Sequence, residues 1–284
     1  MAIARHGSGP AAAVGALTSQ IHPVFMLPPL ASSLFGALLT GVESLPFAGL
    51  HVTAVFAGLY TAHVKDGYVD FYHRGEDDDH PLTAGGCCLA MAGSTVLFGT
   101  CLVAIWLLVG PWAALLTAPG WAIGYFHAPQ LDTNPVTATV GYPSGIALAL
   151  LGGYYVQAGT LSPVVVAFAG TFLVVLSGIK VIDDAQDYAY DRSIGKRTVA
   201  VVLGRERARR TAFALMTLGL IAVPAFAAAA VFPPSAVAAP VVFGLVALVA
   251  WRADDTLATM LLIRGSYLFL ATLIAATWFR PLVA

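Results

Sequence analysis

The sequence predicts an all-α, polytopic membrane protein of about nine transmembrane helices in one bundle. Three observations carry that prediction. Of the 284 residues, 58% are hydrophobic and only 10% are charged, against the ~25% typical of soluble domains, so charged side chains are too few to cover a water-facing surface. Nine apolar stretches approach the ~20 residues that cross a ~30 Å hydrocarbon core. Alternation at period two is absent, and backbone polar groups in lipid must be satisfied within each segment, so these stretches read as helices and not as barrel strands.

The segments run at 21–41, 47–69, 84–109, 112–128, 141–158, 162–184, 207–231, 236–252 and 256–279. Residues 1–20 lack the charged start, separate apolar core and cleavage site of a removed signal, and read as a short leader to a single helical domain, 21–284. Each segment ends on turn or loop chemistry. The first stops at 43–46, which closes on a proline, and the second runs into the charged stretch 73–81. Gly110-Pro111 divides the third from the fourth, 132–135 follows the fourth, and 159–163 follows the fifth. After the sixth comes the polar loop 185–206, after the seventh Pro233-Pro234, and after the eighth 253–255.

Lys and Arg set the orientation. Arg5, Lys65, Arg74, Lys180, Arg192, Lys196, Arg197, Arg205, Arg207, Arg209, Arg210 and Arg252 all fall on the side reached after even-numbered helices or before the first, and the other side has Arg280. The positive-inside rule then predicts a multi-pass cell-membrane protein with its N-terminus and the loops at 70–84, 129–140 and 185–206 in the cytoplasm. A formal net charge of -1 gives no general attraction to nucleic acid. Cys87, Cys88 and Cys101 have no C-x-x-C spacing and read as small apolar filler.

The carboxylates are concentrated. Six of the fifteen lie in 66–79 and four in 183–191. In GIKVIDDAQDYAYDRSIGKRT, Asp183, Asp187 and Asp191 stand at i, i+4 and i+8, a spacing that stacks them along one face of a helix continuing from the sixth span. In AHVKDGYVDFYHRGEDDDHPLT, Asp66 and Asp70 repeat the i, i+4 step at the end of the second span. Like charges so placed repel and call for a cation, and ionisable groups at the end of an apolar helix are costly and usually functional. Hard oxygen donors suit Mg²⁺, which commonly binds through one or two carboxylates plus phosphate oxygens. The inferred ligand is a phosphate or diphosphate held through metal, with Lys65, Lys180, Arg192, Lys196 and Arg197 flanking the acids to contact phosphate directly. Asp184 points ~100° away from Asp183 on a helix and reads as a supporting or solvated group, and the run 76–79 reads as solvated loop.

These residues resemble the UbiA-type intramembrane prenyltransferase superfamily, whose members carry N-D-x-x-D-x-x-x-D after the second helix and D-x-x-x-D-x-x-x-D after the sixth of a nine-helix bundle. Asp183, Asp187 and Asp191 match the second motif, and Ile194, Gly195, Lys196, Arg197 and Thr198 fit its usual continuation. In the first motif Asp66 stands where the family has Asn, Asp70 fits the central Asp, and Arg74 occupies the third acidic position, leaving Asp77 or Asp78 as substitutes. His22-Pro23 stands where members often have Arg-Pro, and His80 to Thr83 resembles an R-P-(L/I)-x segment with His for Arg. GYFHAPQL and GGYYVQAG, beginning at Gly124 and Gly152, resemble segments of menaquinone-type members.

The resemblance implies a bundle enclosing a cytoplasmic-side cavity, in which Mg²⁺ held by both motifs binds a polyprenyl diphosphate. The isoprenoid chain then passes to a small lipophilic or aromatic acceptor while its tail stays in the bilayer. A quinone-type precursor is the preferred acceptor, with a carotenoid or a glycerol-phosphate lipid as alternatives. Asp66, Asp70, Asp183 and Asp187 are the expected catalytic acids. Tyr60, Tyr125, Phe126, Tyr154 and Tyr155 either line the prenyl pocket or serve packing and the interfacial belt. His22 stands beside them at the acceptor end, and His63 or His127 either acts as a base for the acceptor or is structural. Two rivals share the carboxylates. A CDP-alcohol phosphotransferase requires D-G-x-x-A-R, which fails after Asp66-Gly67. A cation transporter would place its acids at mid-bilayer in broken helices.

Overall fold

A computed structural model describes residues 2–279, and these are helical apart from turns and a single β-bridge. In chain order the helices are α1 (Gly9–Thr18), α2 (Pro23–Leu38), α3 (Leu45–Val69), α4 (Ala84–Leu108), α5 (Pro111–Phe126), α6 (Pro135–Ala158), α7 (Pro163–Gln186), α8 (Tyr188–Ser193), α9 (Val199–Leu203), α10 (Arg205–Ala228), α11 (Ala238–Arg252) and α12 (Asp255–Phe279). Their starts follow from local chemistry. Ser44, Thr83, Ser162 and Thr198 sit in extended conformation at N-caps, and their hydroxyls accept from the third backbone N–H beyond. Prolines occupy the first turns of α3, α5 and α7, where no intrahelical N–H is needed.

Every expected span has a helical counterpart, but the count of nine crossings is not reached. Among the described residues seven helices are long and apolar enough to cross a membrane, and α1 with α2, bent by 66°, makes an eighth if the pair is one broken span. The stretch expected at 112–128 yields α5, which at 16 residues is short for a crossing. Arg280, the one basic residue expected on the far side, lies outside the described residues. The flanks of the helices remain apolar and open, with Leu45, Trp106, Leu107, Trp112 and Phe279 all exposed, as a lipid-facing exterior requires.

The chain divides into two compact units. The first holds 1–37, 42–131 and 148–159. Its core is built from small residues, with Ala54, Ala57, Ala113 and Ala114 packed against Phe98, Cys101, Ile105 and Val156. Two helices touch backbone to backbone there: a Cβ on Gly36 would strike the main chain at Leu150 and Tyr154, and one on Gly153 would strike Ser33. Lipid gives helices no hydrophobic drive to associate, so such close approaches supply the packing. Residues 2–6 are fastened to the loop after α3. Ala4 bridges Leu82, Thr83 N–H donates to the Ile3 carbonyl at 2.9 Å, and Arg5 lies over the Phe71 ring at 4.3 Å. His6 and Arg5 both meet Asp79, at 2.9 and 3.6 Å. The His6 hydrogen bond, first, and these charges hold the Asp79 carboxyl below its ordinary range.

The second unit holds 38–41, 132–147 and 160–284. Its centre is α7, with two thirds of its apolar window buried (67%) against 22% for α10. Gly178 and Gly219 let α7 and α10 approach, and stacked Phe168 and Phe232, 4.0 Å between ring centres, pin the base of α7. α12 joins through Phe172, Phe243 and Phe269.

Candidate active site

In the first unit the acids sit where α3 changes form. Asp66 lies in its last turn, and Asp70 opens a π-helical turn, Asp70–Arg74, that ends on Gly75 in left-handed conformation. Such widened turns recur at functional sites because they re-aim side chains within a helix. Arg74, in the third acidic position, donates to Asp70 at 3.2 Å. Asp77 and Asp78 are exposed on the following loop. One turn before Asp66, His63 faces His22, Nδ1 to Nδ1 at 3.3 Å with rings edge to face.

The other residues expected here are largely engaged. Lys65 lies over the Tyr125 ring at 4.3 Å, and Trp121 stacks on the same ring at 5.1 Å. The Tyr60 hydroxyl donates to the Leu17 carbonyl at 2.8 Å. The segment GGYYVQAG is used for packing: Gly152 lies under His51, Gly153 against Ser33, Tyr155 on the small-residue core, and Gln157 bonds both main-chain groups of Ser44. Tyr154 is half-buried. His80 is a residue whose setting the sequence did not disclose. It is buried, stacks on Phe71 at 5.8 Å, and sits 3.4 Å from the Cys87 sulfur. Burial, first of all, pushes its imidazole below the ordinary histidine range.

In the second unit the expected three-step ladder is broken. α7 ends at Gln186, Asp187 adopts φ -95 and ψ 14, and α8 starts afresh at Tyr188. Asp183 therefore belongs to α7, Asp187 to the junction and Asp191 to α8, and the Asp191 N–H donates across that junction to the Asp187 carbonyl at 2.8 Å. Lys180 donates to Asp183 at 2.9 Å and to Asp184 at 2.6 Å. Asp184, expected as a supporting or solvated group, is buried, and its second oxygen has no hydrogen-bond partner among the described residues. Lys196 reaches Asp191 at 3.4 Å. Desolvation and then the like charges of Asp183 and Asp191 push the Asp187 carboxyl above its ordinary value. Arg192 and Arg197 are exposed and meet no carboxylate among the described residues; the Arg197 main chain is tied to the Asp132 carbonyl at 3.1 Å.

Donor chemistry decides what these acids suit. The groups are carboxylates without sulfur, and among the described residues no three His, Cys, Asp or Glu side chains form a cage of their own. That fits a hard cation that completes its shell with water and phosphate oxygens, as Mg²⁺ does. It does not fit a structural zinc site, which needs four protein ligands.

Comparison with known proteins supplies the family. The profile described as the UbiA prenyltransferase family matches residues 25–273. Among solved structures, one of a digeranylgeranylglyceryl phosphate synthase in membranes has a TM-score of 0.74 at 14% identity, covering 95% of this chain and 98% of its own. A UbiA homologue from Aeropyrum pernix K1 scores 0.71 at 17% identity, with 93% and 100% covered. Another from Archaeoglobus fulgidus, bound to DMAPP and Mg²⁺, scores 0.64 at 17% identity, with 93% and 98% covered. No curated protein matches. At these identities the likeness establishes the fold.

Proposed function

The chain belongs to the UbiA prenyltransferase family, and from that premise we propose that it transfers a polyprenyl group from a polyprenyl diphosphate to a lipophilic aromatic acceptor of the quinone-precursor type, with Mg²⁺. Family membership sets the transporter reading aside. Bound Mg²⁺ would neutralise charge that builds on the diphosphate as the allylic C–O bond breaks. We assign Mg²⁺ binding to the carboxylates of the two motifs, Asp66 and Asp70 in the first and Asp183, Asp187 and Asp191 in the second. Arg192 and Arg197, exposed and without acidic partners, bind diphosphate oxygens directly. The His22 and His63 pair, one nitrogen donating and the other accepting, takes up the proton the acceptor loses when the new bond forms. The Lys and Arg distribution supports a cytoplasmic side for both motifs.

The observation that carries the acceptor class is the engagement of the cations. Lys180 and Lys196 are paired with Asp183, Asp184 and Asp191, Arg74 with Asp70, and Lys65 lies on an aromatic ring. A glycerol-phosphate acceptor would bring a second phosphate needing cations of its own, whereas an uncharged or singly charged aromatic acceptor needs none beyond those on the diphosphate. Incubation of the purified protein with Mg²⁺, labelled geranylgeranyl diphosphate and separate aromatic, glycerol-phosphate and carotenoid acceptors tests this. Labelled product with the aromatic acceptors is expected; product with glycerol phosphate alone would overturn the acceptor class and leave prenyl transfer standing.

A further inference from the structure

We propose that Asp184, which lies outside the Asp-rich motif, is a positioning residue that anchors Lys180, so that the lysine's contact with Asp183 can be given up to a divalent cation. The inference rests on the Mg²⁺ reading above and re-assigns Lys180, which the sequence reading placed on the diphosphate.

Lys180, Asp183 and Asp184 lie within about one turn of α7, at the i, i+3 and i, i+4 steps where helix side chains meet. One ammonium serves both carboxylates, and burial decides which holds it. The Asp183 side chain is 29% exposed and can be hydrated or bind a metal, whereas that of Asp184 is 6% exposed. A carboxylate that deep is strongly disfavoured without a paired cation. Lys180 is the one side-chain partner of Asp184 among the described residues: it contacts Oδ1 at 2.6 Å, and Oδ2 has none. The lysine is therefore anchored on the inner acid, and its 2.9 Å contact with Asp183 is the one a divalent cation displaces. Without the Asp184 charge, Lys180 would turn wholly to Asp183, neutralise it and compete with the metal.

The test is uptake of Mn²⁺, a paramagnetic stand-in for Mg²⁺, by the full-length protein in detergent without prenyl substrate, read from the loss of the free-ion resonance. Asp184→Asn should weaken Mn²⁺ binding about tenfold, the size of effect expected when a group orienting a metal ligand is lost. The double variant Lys180→Gln with Asp184→Asn replaces the buried ion pair by a neutral hydrogen-bonded pair, which such sites tolerate, and should bind Mn²⁺ at least as tightly as the wild type. This second variant decides the matter even if the single one does not fold. Unchanged affinity in folded Asp184→Asn, or a double variant weaker than wild type, overturns the positioning role alone. No Mn²⁺ uptake by the wild type overturns this proposal, and no uptake with the prenyl diphosphate added overturns the metal reading as well.

Discussion

Asp187→Ala is expected to lower prenyl transfer by ~10²–10³-fold, the scale set by removing one group that stabilises transition-state charge, while the protein still folds and inserts. The two halves of that expectation have separate causes. Asp187 occupies the junction between α7 and α8, is exposed, and makes no side-chain hydrogen bond or ion pair among the described residues. Its backbone angles are open to alanine, so little stability is at stake, in line with the ±0.5 kcal/mol usual for such surface changes. Its carboxyl is nevertheless held above the ordinary range, by desolvation and then by Asp183 and Asp191. An acid that is repelled by its neighbours and has no protein cation bonded to it is suited to accept one from solution. Unaltered melting with lost turnover is the outcome expected; retained turnover would remove the second motif from the mechanism.

The largest expected effect on stability is at Gly153. In a helix, Gly→Ala recovers ~0.5–1 kcal/mol of backbone entropy, whereas overfilling a packed contact costs ~1–3 kcal/mol or more. At Gly153 the new Cβ would meet the Ser33 carbonyl, with the Ser33 Cα at 3.0 Å, and main chain cannot rotate aside as a flexible side chain would. The cost therefore exceeds the gain, and Gly153→Ala should melt lower by roughly 1 kcal/mol or more. Gly145, on the same α6, has nothing within 4 Å of its Cβ position. There Gly→Ala should be neutral or mildly stabilising. Thermal unfolding of both variants in the same detergent checks the pair, and a fall at Gly145 with none at Gly153 would contradict the backbone contact between α2 and α6.

Composition and hydropathy sufficed for the helical membrane class, and the Pro, Gly and Ser punctuation placed most helix starts within a few residues. The larger discrepancy is α6, which starts at Pro135 and not near 141, because Asn134-Pro135 works as a helix start as well as a loop. Residues 2–6 read as leader since their partners, Asp79 and 81–83, lie more than seventy positions along the chain. The carboxylates were legible from spacing alone, but their partners were not. A strict i, i+4, i+8 count presumes one helix, and the interruption at Asp187 is not something a periodicity can carry. The Lys180 pair with Asp183 and Asp184 has a readable local spacing; its meaning depends on which acid is buried, and that is a tertiary fact. GGYYVQAG resembled a segment of menaquinone-type members, and its glycines and Gln157 are occupied in helix contacts.

The most direct measurement is release of inorganic diphosphate from geranylgeranyl diphosphate by the purified protein, with an aromatic acceptor, in Mg²⁺ and again after chelation. Release matched one for one by prenylated acceptor, lost on chelation and lost in Asp187→Ala, is the predicted result. Release that survives chelation, or prenylated product formed at the wild-type rate by Asp187→Ala, would contradict it.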